Sequence, residues 1–147
     1  MKAFTLIIIG IFGVVGVAFQ ANAAETLRYD HPIPRSSFER IKDFARSNLG
    51  SPITSYEIAR ADLNDDGLYE FVLKPKACNT TCRYNIVAES SKNIVMLGDI
   101  RGSNIALGNE FSHGVRNLLV FESPTNDFDY TLYTWHPMSS SYRKSGL

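Results

Sequence analysis

Apolar residues fall into three patterns along the chain, and each predicts a different kind of element. The first is a solid run from Phe4 to Phe19 with no charge inside it. It follows the short positive start Met1-Lys2 and precedes Ala21-Asn22-Ala23, a small-x-small triplet of the kind signal peptidase cuts. A bilayer-spanning helix needs roughly 17–25 apolar residues, so the run sits near the lower limit. Residues 1–23 are read as a cleavable signal peptide, with a retained N-terminal anchor as the alternative. The second pattern is helical. After an extended, proline-containing lead-in at residues 24–34, Ser36-x-x-Glu39 has the form of a capping box. Phe38, Ile41, Phe44, Ala45 and Leu49 then recur on one helical stripe, with Asp43 and Arg46 on the solvent side. Gly50 and Pro52 end the helix.

Beyond Gly50 the period shortens. Runs rich in Val, Ile, Tyr, Phe and Leu alternate with clusters of Gly, Asn, Asp and Ser. Strands are expected at Ser55–Leu63, Leu68–Lys74, Arg83–Ala88, Asn93–Leu97, Val115–Glu122 and Asp129–Trp135. Shorter pieces are expected at Ser103–Leu107 and Ser141–Arg143. Turn signals every 8–12 residues or so argue for antiparallel strands joined by hairpins. The expectation is an α+β fold, with one N-terminal amphipathic helix packed on an antiparallel meander sheet. Residues 24–147 read as a single domain, since 124 residues suffice for one core and no linker or repeat divides them.

Charge narrows the choice of partners. Lys2 is the only charge in the leader, so the mature part carries 14 Lys+Arg against 15 Asp+Glu. A balanced surface offers no electrostatic footprint for nucleic acid. No second apolar stretch predicts stable membrane insertion after cleavage. The expected location is periplasmic or secreted, in a bacterium.

One segment points to specific chemistry. Asp62-Leu63-Asn64-Asp65-Asp66-Gly67-Leu68-Tyr69-Glu70 fits D-x-N-x-D-G-x-x-E. Calcium takes six to eight hard oxygens, and alternate side chains of a tight loop can converge on one centre. Asp62, Asn64 and Asp66 would give side-chain oxygens, Leu68 a carbonyl, and Glu70 a carboxylate, directly or through water. The pattern matches the first half of an EF-hand loop. The twelfth position falls on Leu73, where the EF-hand needs a glutamate, and the flanks read as strands. Two other readings stand beside calcium: a metal-free hairpin turn, since Asp, Asn and Asp-Gly favour turns unaided, and a catalytic role for the carboxylates.

Residues 58–90 resemble the strand-flanked calcium loops of FG-GAP repeats. They also resemble small exported bacterial domains, mostly uncharacterised, that carry such a hairpin near a cysteine pair. The resemblance implies calcium at Asp62, Asn64, Asp66 and Glu70 but no particular activity. A single copy departs from the propeller pattern, which needs several blades to close.

Cys78 and Cys82 are the only cysteines, and in an oxidising compartment an even pair reads as a disulfide. A redox-active pair is the alternative, disfavoured by the absence of C-x-x-C spacing. His31, His113 and His136 lie far apart, and no G-x-S-x-G, H-E-x-x-H or phosphate-binding glycine loop is present. Aromatics cluster late. In the strand Asp129–Trp135, Tyr130 and Leu132 face one way while Tyr133 and Trp135 face the other, so one set is core and the other a candidate recognition face.

The leading reading is a non-enzymatic exported domain. It binds a protein or cell-envelope partner and is stabilised by calcium and one disulfide. The rivals are a small periplasmic hydrolase, built on His113 or His136 with a carboxylate, and an inhibitor or immunity-type protein.

Overall fold

The computed structural model describes residues 24–126 and 128–146, and the expected signal peptide lies outside them. A two-residue strand, β1 (Glu25–Thr26), comes first and is followed by the helix α1 (Arg35–Phe44). Strands β2 (Tyr56–Ala61), β3 (Glu70–Pro75), β4 (Cys82–Glu89) and β5 (Ile94–Gly102) form one antiparallel sheet in chain order. Strands β6 (Asn104–Ser112), β7 (Val115–Phe121), β8 (Tyr130–His136) and β9 (Ser141–Lys144) form a second, with β1 added at the β6 edge.

This corrects the expected α+β fold with its single meander. The protein is mainly β: nearly half of the described residues are in strands, against one helical stretch of 15 residues. What periodicity missed is that the meander breaks in the middle. Tyr84, Ile86 and Ile100 of the four-stranded sheet share one buried cluster with Ile105, Leu107, Leu118 and Val120 of the five-stranded sheet. Both sheets therefore turn an apolar face inward, as in sheet-on-sheet packing.

The four-stranded sheet is covered on both sides. Strand β3 shows why: Val72 joins the inter-sheet cluster, while Phe71 and Leu73 join Ile58 and Val87 against Ile41 and Ala45 of the helix. Each such buried Val, Leu, Ile or Phe side chain stabilises by about 1.5–3 kcal/mol. The helix buries the predicted stripe but starts differently. Pro34 is at the N-cap and no side chain caps it, so the Ser36–Glu39 capping box does not form. Glu39 instead accepts from Lys42 at 2.8 Å, and Ser37 donates to Glu89 at 2.9 Å. The last turn widens into a π-helical stretch, Ala45–Leu49, and ends at Gly50 with φ 68°.

The break falls at Gly102. A Cβ there would lie 2.5 Å from Val120 Cγ1 and 2.9 Å from the Phe121 carbonyl oxygen. Only a residue without a side chain lets the end of β5 press against β7 while the chain crosses between sheets. Ser103, next in line, donates its N–H to the Phe121 carbonyl at 2.7 Å, and its own carbonyl accepts from the Tyr84 hydroxyl at 3.0 Å. Gly102→Ala is expected to cost about 1–3 kcal/mol through overpacking. Gly98→Ala meets Ile86 Cδ1 at 3.4 Å and is expected to change stability by less than about 1 kcal/mol. Urea unfolding of both variants checks this; equal costs would show that the close approach at Gly102 is not limiting.

Candidate functional site: an acidic turn and the cleft beside it

Between β2 and β3 the chain reverses through its own side chains. Asp62 accepts the Asp66 N–H on Oδ1 at 3.2 Å and the Gly67 N–H on Oδ2 at 2.9 Å. Asn64 Oδ1 also accepts the Asp66 N–H, at 3.3 Å, and Asp66 Oδ1 accepts the Leu68 N–H at 2.8 Å. The Asn64 amide donates to Asp66 Oδ2 at 2.9 Å. Asx hydrogen bonding of this kind replaces a strand ladder. Asp65 (φ 58°) and Gly67 (φ 80°) supply the left-handed backbone that the reversal needs.

Leu63 pins the turn to the frame. Its side chain is only 1% exposed within the inter-sheet cluster. Its N–H donates to Glu70 Oε2 at 2.8 Å, and its carbonyl accepts the N–H of Arg116, on β7 of the other sheet, at 2.7 Å. The turn therefore bridges both sheets.

The expected ligand set is drawn together in part. Asp62, Asn64 and Asp66 aim oxygens into the turn, whereas Glu70 is buried behind it with one oxygen on Leu63. Among the described residues no group of three or more His, Cys, Asp or Glu side chains is placed to hold a metal ion. Burial pushes Glu70 above its ordinary carboxylate value, the negative charges of Asp66 and Asp62 add to this, and the Leu63 N–H opposes it.

Cys78 and Cys82 are joined in a disulfide, with Cα atoms 5.5 Å apart at the start of β4. The histidines do not converge. His31 Nδ1 lies 3.4 Å from an Arg60 nitrogen, and His136 Nδ1 lies 3.2 Å from Ser139 Oγ within one local turn. His113 sits at φ 53° in the β6–β7 turn. Among the described residues no histidine forms an ion pair with a carboxylate. The late aromatics divide as the strand alternation requires: Tyr133 and Trp135 pack on the inter-sheet cluster, and Tyr130 is 49% exposed.

A cleft of about 370 Å³ opens beside the turn. Its walls come from segments far apart in sequence: Arg28 and His31 from the lead-in, Arg60 from β2, Asp65 and Tyr69 from the turn, and Arg116 from β7. No short motif joins these residues, so only the fold reveals them. Comparison with protein-family models, curated proteins and solved structures finds no match for the chain.

The raised Glu70 value has a defined consequence for stability. The folded state favours protonated Glu70, so that contribution is complete below the ordinary value of 4.5 and is lost as pH rises through the raised one. In chelator-treated protein, Glu70→Gln, whose amide oxygen can still accept the Leu63 N–H, is expected to melt above wild type at neutral pH. The gap should close as pH falls below 4.5. Melting curves across pH test this, and a variant less stable at neutral pH would refute the buried-charge account.

Proposed function

We propose that the chain is an exported, non-enzymatic binding domain that docks a protein or other cell-envelope partner, with calcium at Asp62–Glu70 and the Cys78–Cys82 disulfide as stabilising elements. The observation that carries this reading is the outer face of the five-stranded sheet. The helix covers the four-stranded sheet, but Leu119 opposite Leu132 and Phe121 opposite Tyr130 leave the second sheet with partly exposed apolar pairs. The Phe121 and Tyr130 rings meet edge-on at 6.0 Å. Aromatic side chains held this way supply recognition area at low entropic cost.

The disulfide supports an oxidising compartment, and no helix among the described residues is long and apolar enough to cross a membrane. Outside the cell, calcium fills even a site with a Kd of about 10⁻⁴–10⁻³ M. Calcium titrated into the purified protein in a calorimeter is expected to give heat that Asp62→Ala or Asp66→Ala abolishes, and to raise the wild-type melting temperature. No heat, or heat unchanged in both variants, rejects calcium at the turn. For the docking face, immobilised protein is expected to retain a component of envelope extract that Tyr130→Glu releases; equal retention by the variant would place docking elsewhere.

A further inference from the structure

The cleft beside the turn carries two unspent charges of opposite sign. Most of its ionic groups are already satisfied. Arg116 donates to Glu25 at 2.7 Å and Arg28 to Asp30 at 3.1 Å, while Asp62 is committed to the N–H groups of the turn. Arg60 is different. Its guanidinium reaches the Pro32 carbonyl at 3.3 Å and His31 at 3.4 Å, and it lies over the Tyr69 ring at 4.7 Å. These contacts hold the group in place without neutralising it, and among the described residues no carboxylate pairs with it.

Asp65 is the counterpart. It lines the same cleft on a residue fixed at φ 58°, and it takes no part in the turn's own hydrogen bonding. It is not ion-paired with Arg60 or with any other described base. A third group is also unsatisfied: Arg116 Nε is buried with no hydrogen-bond partner. A space of about 370 Å³ lies in the range of small-ligand sites, roughly 300–1,000 Å³. A cation and an anion that share its walls without meeting are complementary to a ligand of reversed polarity.

We propose that this cleft binds a small zwitterion, an α-amino acid or a short peptide with free ends, its carboxylate on Arg60 and its ammonium toward Asp65. A guanidinium already oriented by a carbonyl and an aromatic ring loses little freedom on accepting a carboxylate. The proposal rests on the binding-domain reading and gives it a ligand chemistry separate from the exposed sheet face.

Calorimetry of the purified protein at low salt tests it with alanine, dialanine, N-acetyl-dialanine and dialanine amide. Alanine and dialanine separate a free amino acid from a peptide as the preferred source of the same charged ends. Blocking either end of dialanine is expected to weaken binding about tenfold, the worth of one charged hydrogen bond. Arg60→Gln should weaken dialanine by a similar factor. Asp65→Asn, on the exposed turn, should weaken dialanine while leaving N-acetyl-dialanine unchanged. No heat with either unblocked compound overturns the proposal. So does equal affinity for dialanine and its N-acetyl form, which would mark a simple anion site. Failure here with Tyr130-dependent capture intact removes the cleft ligand alone; loss of both removes the binding-domain reading.

Discussion

Tyr84, Ile86 and Ile100 on one sheet meet Ile105, Leu107, Leu118 and Val120 on the other, and this buried seam sets how the two sheets sit against each other. It forms only because the chain changes sheets at Gly102, where a side chain would collide with Val120 and the Phe121 carbonyl. The Ser103–Phe121 and Tyr84–Ser103 hydrogen bonds satisfy the backbone at that crossing. Close-packed interiors tolerate little displacement, so the crossing fixes how the two sheets align. Leu63 with the acidic turn, and Arg116 with the cleft, lie at the other end of the strands from that crossing, where the Leu63 carbonyl accepts the Arg116 N–H.

Local features were legible in the sequence to the extent that their causes are local. The helical stripe of Ile41 and Ala45, the stop at Gly50, the Asx-rich reversal at Asp62–Gly67 and the Cys78–Cys82 pair all follow from side chains a few residues apart. The capping box failed because the N-cap falls on Pro34, two residues before Ser36, and Glu39 finds Lys42. The strands expected at Asn93–Leu97 and Ser103–Leu107 run on to Gly102 and Ser112. Gly98, Asp99 and Arg101 look like turn residues, but the β4 ladder holds them extended, with Arg83 Nε donating to Asp99 at 2.7 Å.

What was not legible depends on the pairing of distant segments. A period of two says which residues share a face, not whether eight strands form one sheet or two. That choice was made by Gly102 and by inward faces on both halves, and it turned the expected α+β fold into a mainly β one. The cleft is hidden for the same reason, since Arg28, Arg60 and Arg116 meet only after both sheets assemble. The turn's Asp and Asn side chains were visible, yet the role of Leu63 as its anchor was not: an apolar residue inside a polar motif reads as a spacer. Its side chain fills the seam while its N–H and carbonyl tie Glu70 and Arg116 to the turn.

Calcium at Asp62–Glu70, proposed above, would sit in a turn that Leu63 ties to the seam. Amide chemical shifts of isotope-labelled protein, followed by NMR during a calcium titration to millimolar concentration, test this most directly. If calcium enters the turn, saturable shifts concentrate at the N–H groups of Asp66, Gly67 and Leu68, which the Asp62 and Asp66 carboxylates already hold, and at Leu63 and Arg116, which anchor the turn. Shifts that are absent, unsaturable, or centred away from these residues would contradict it.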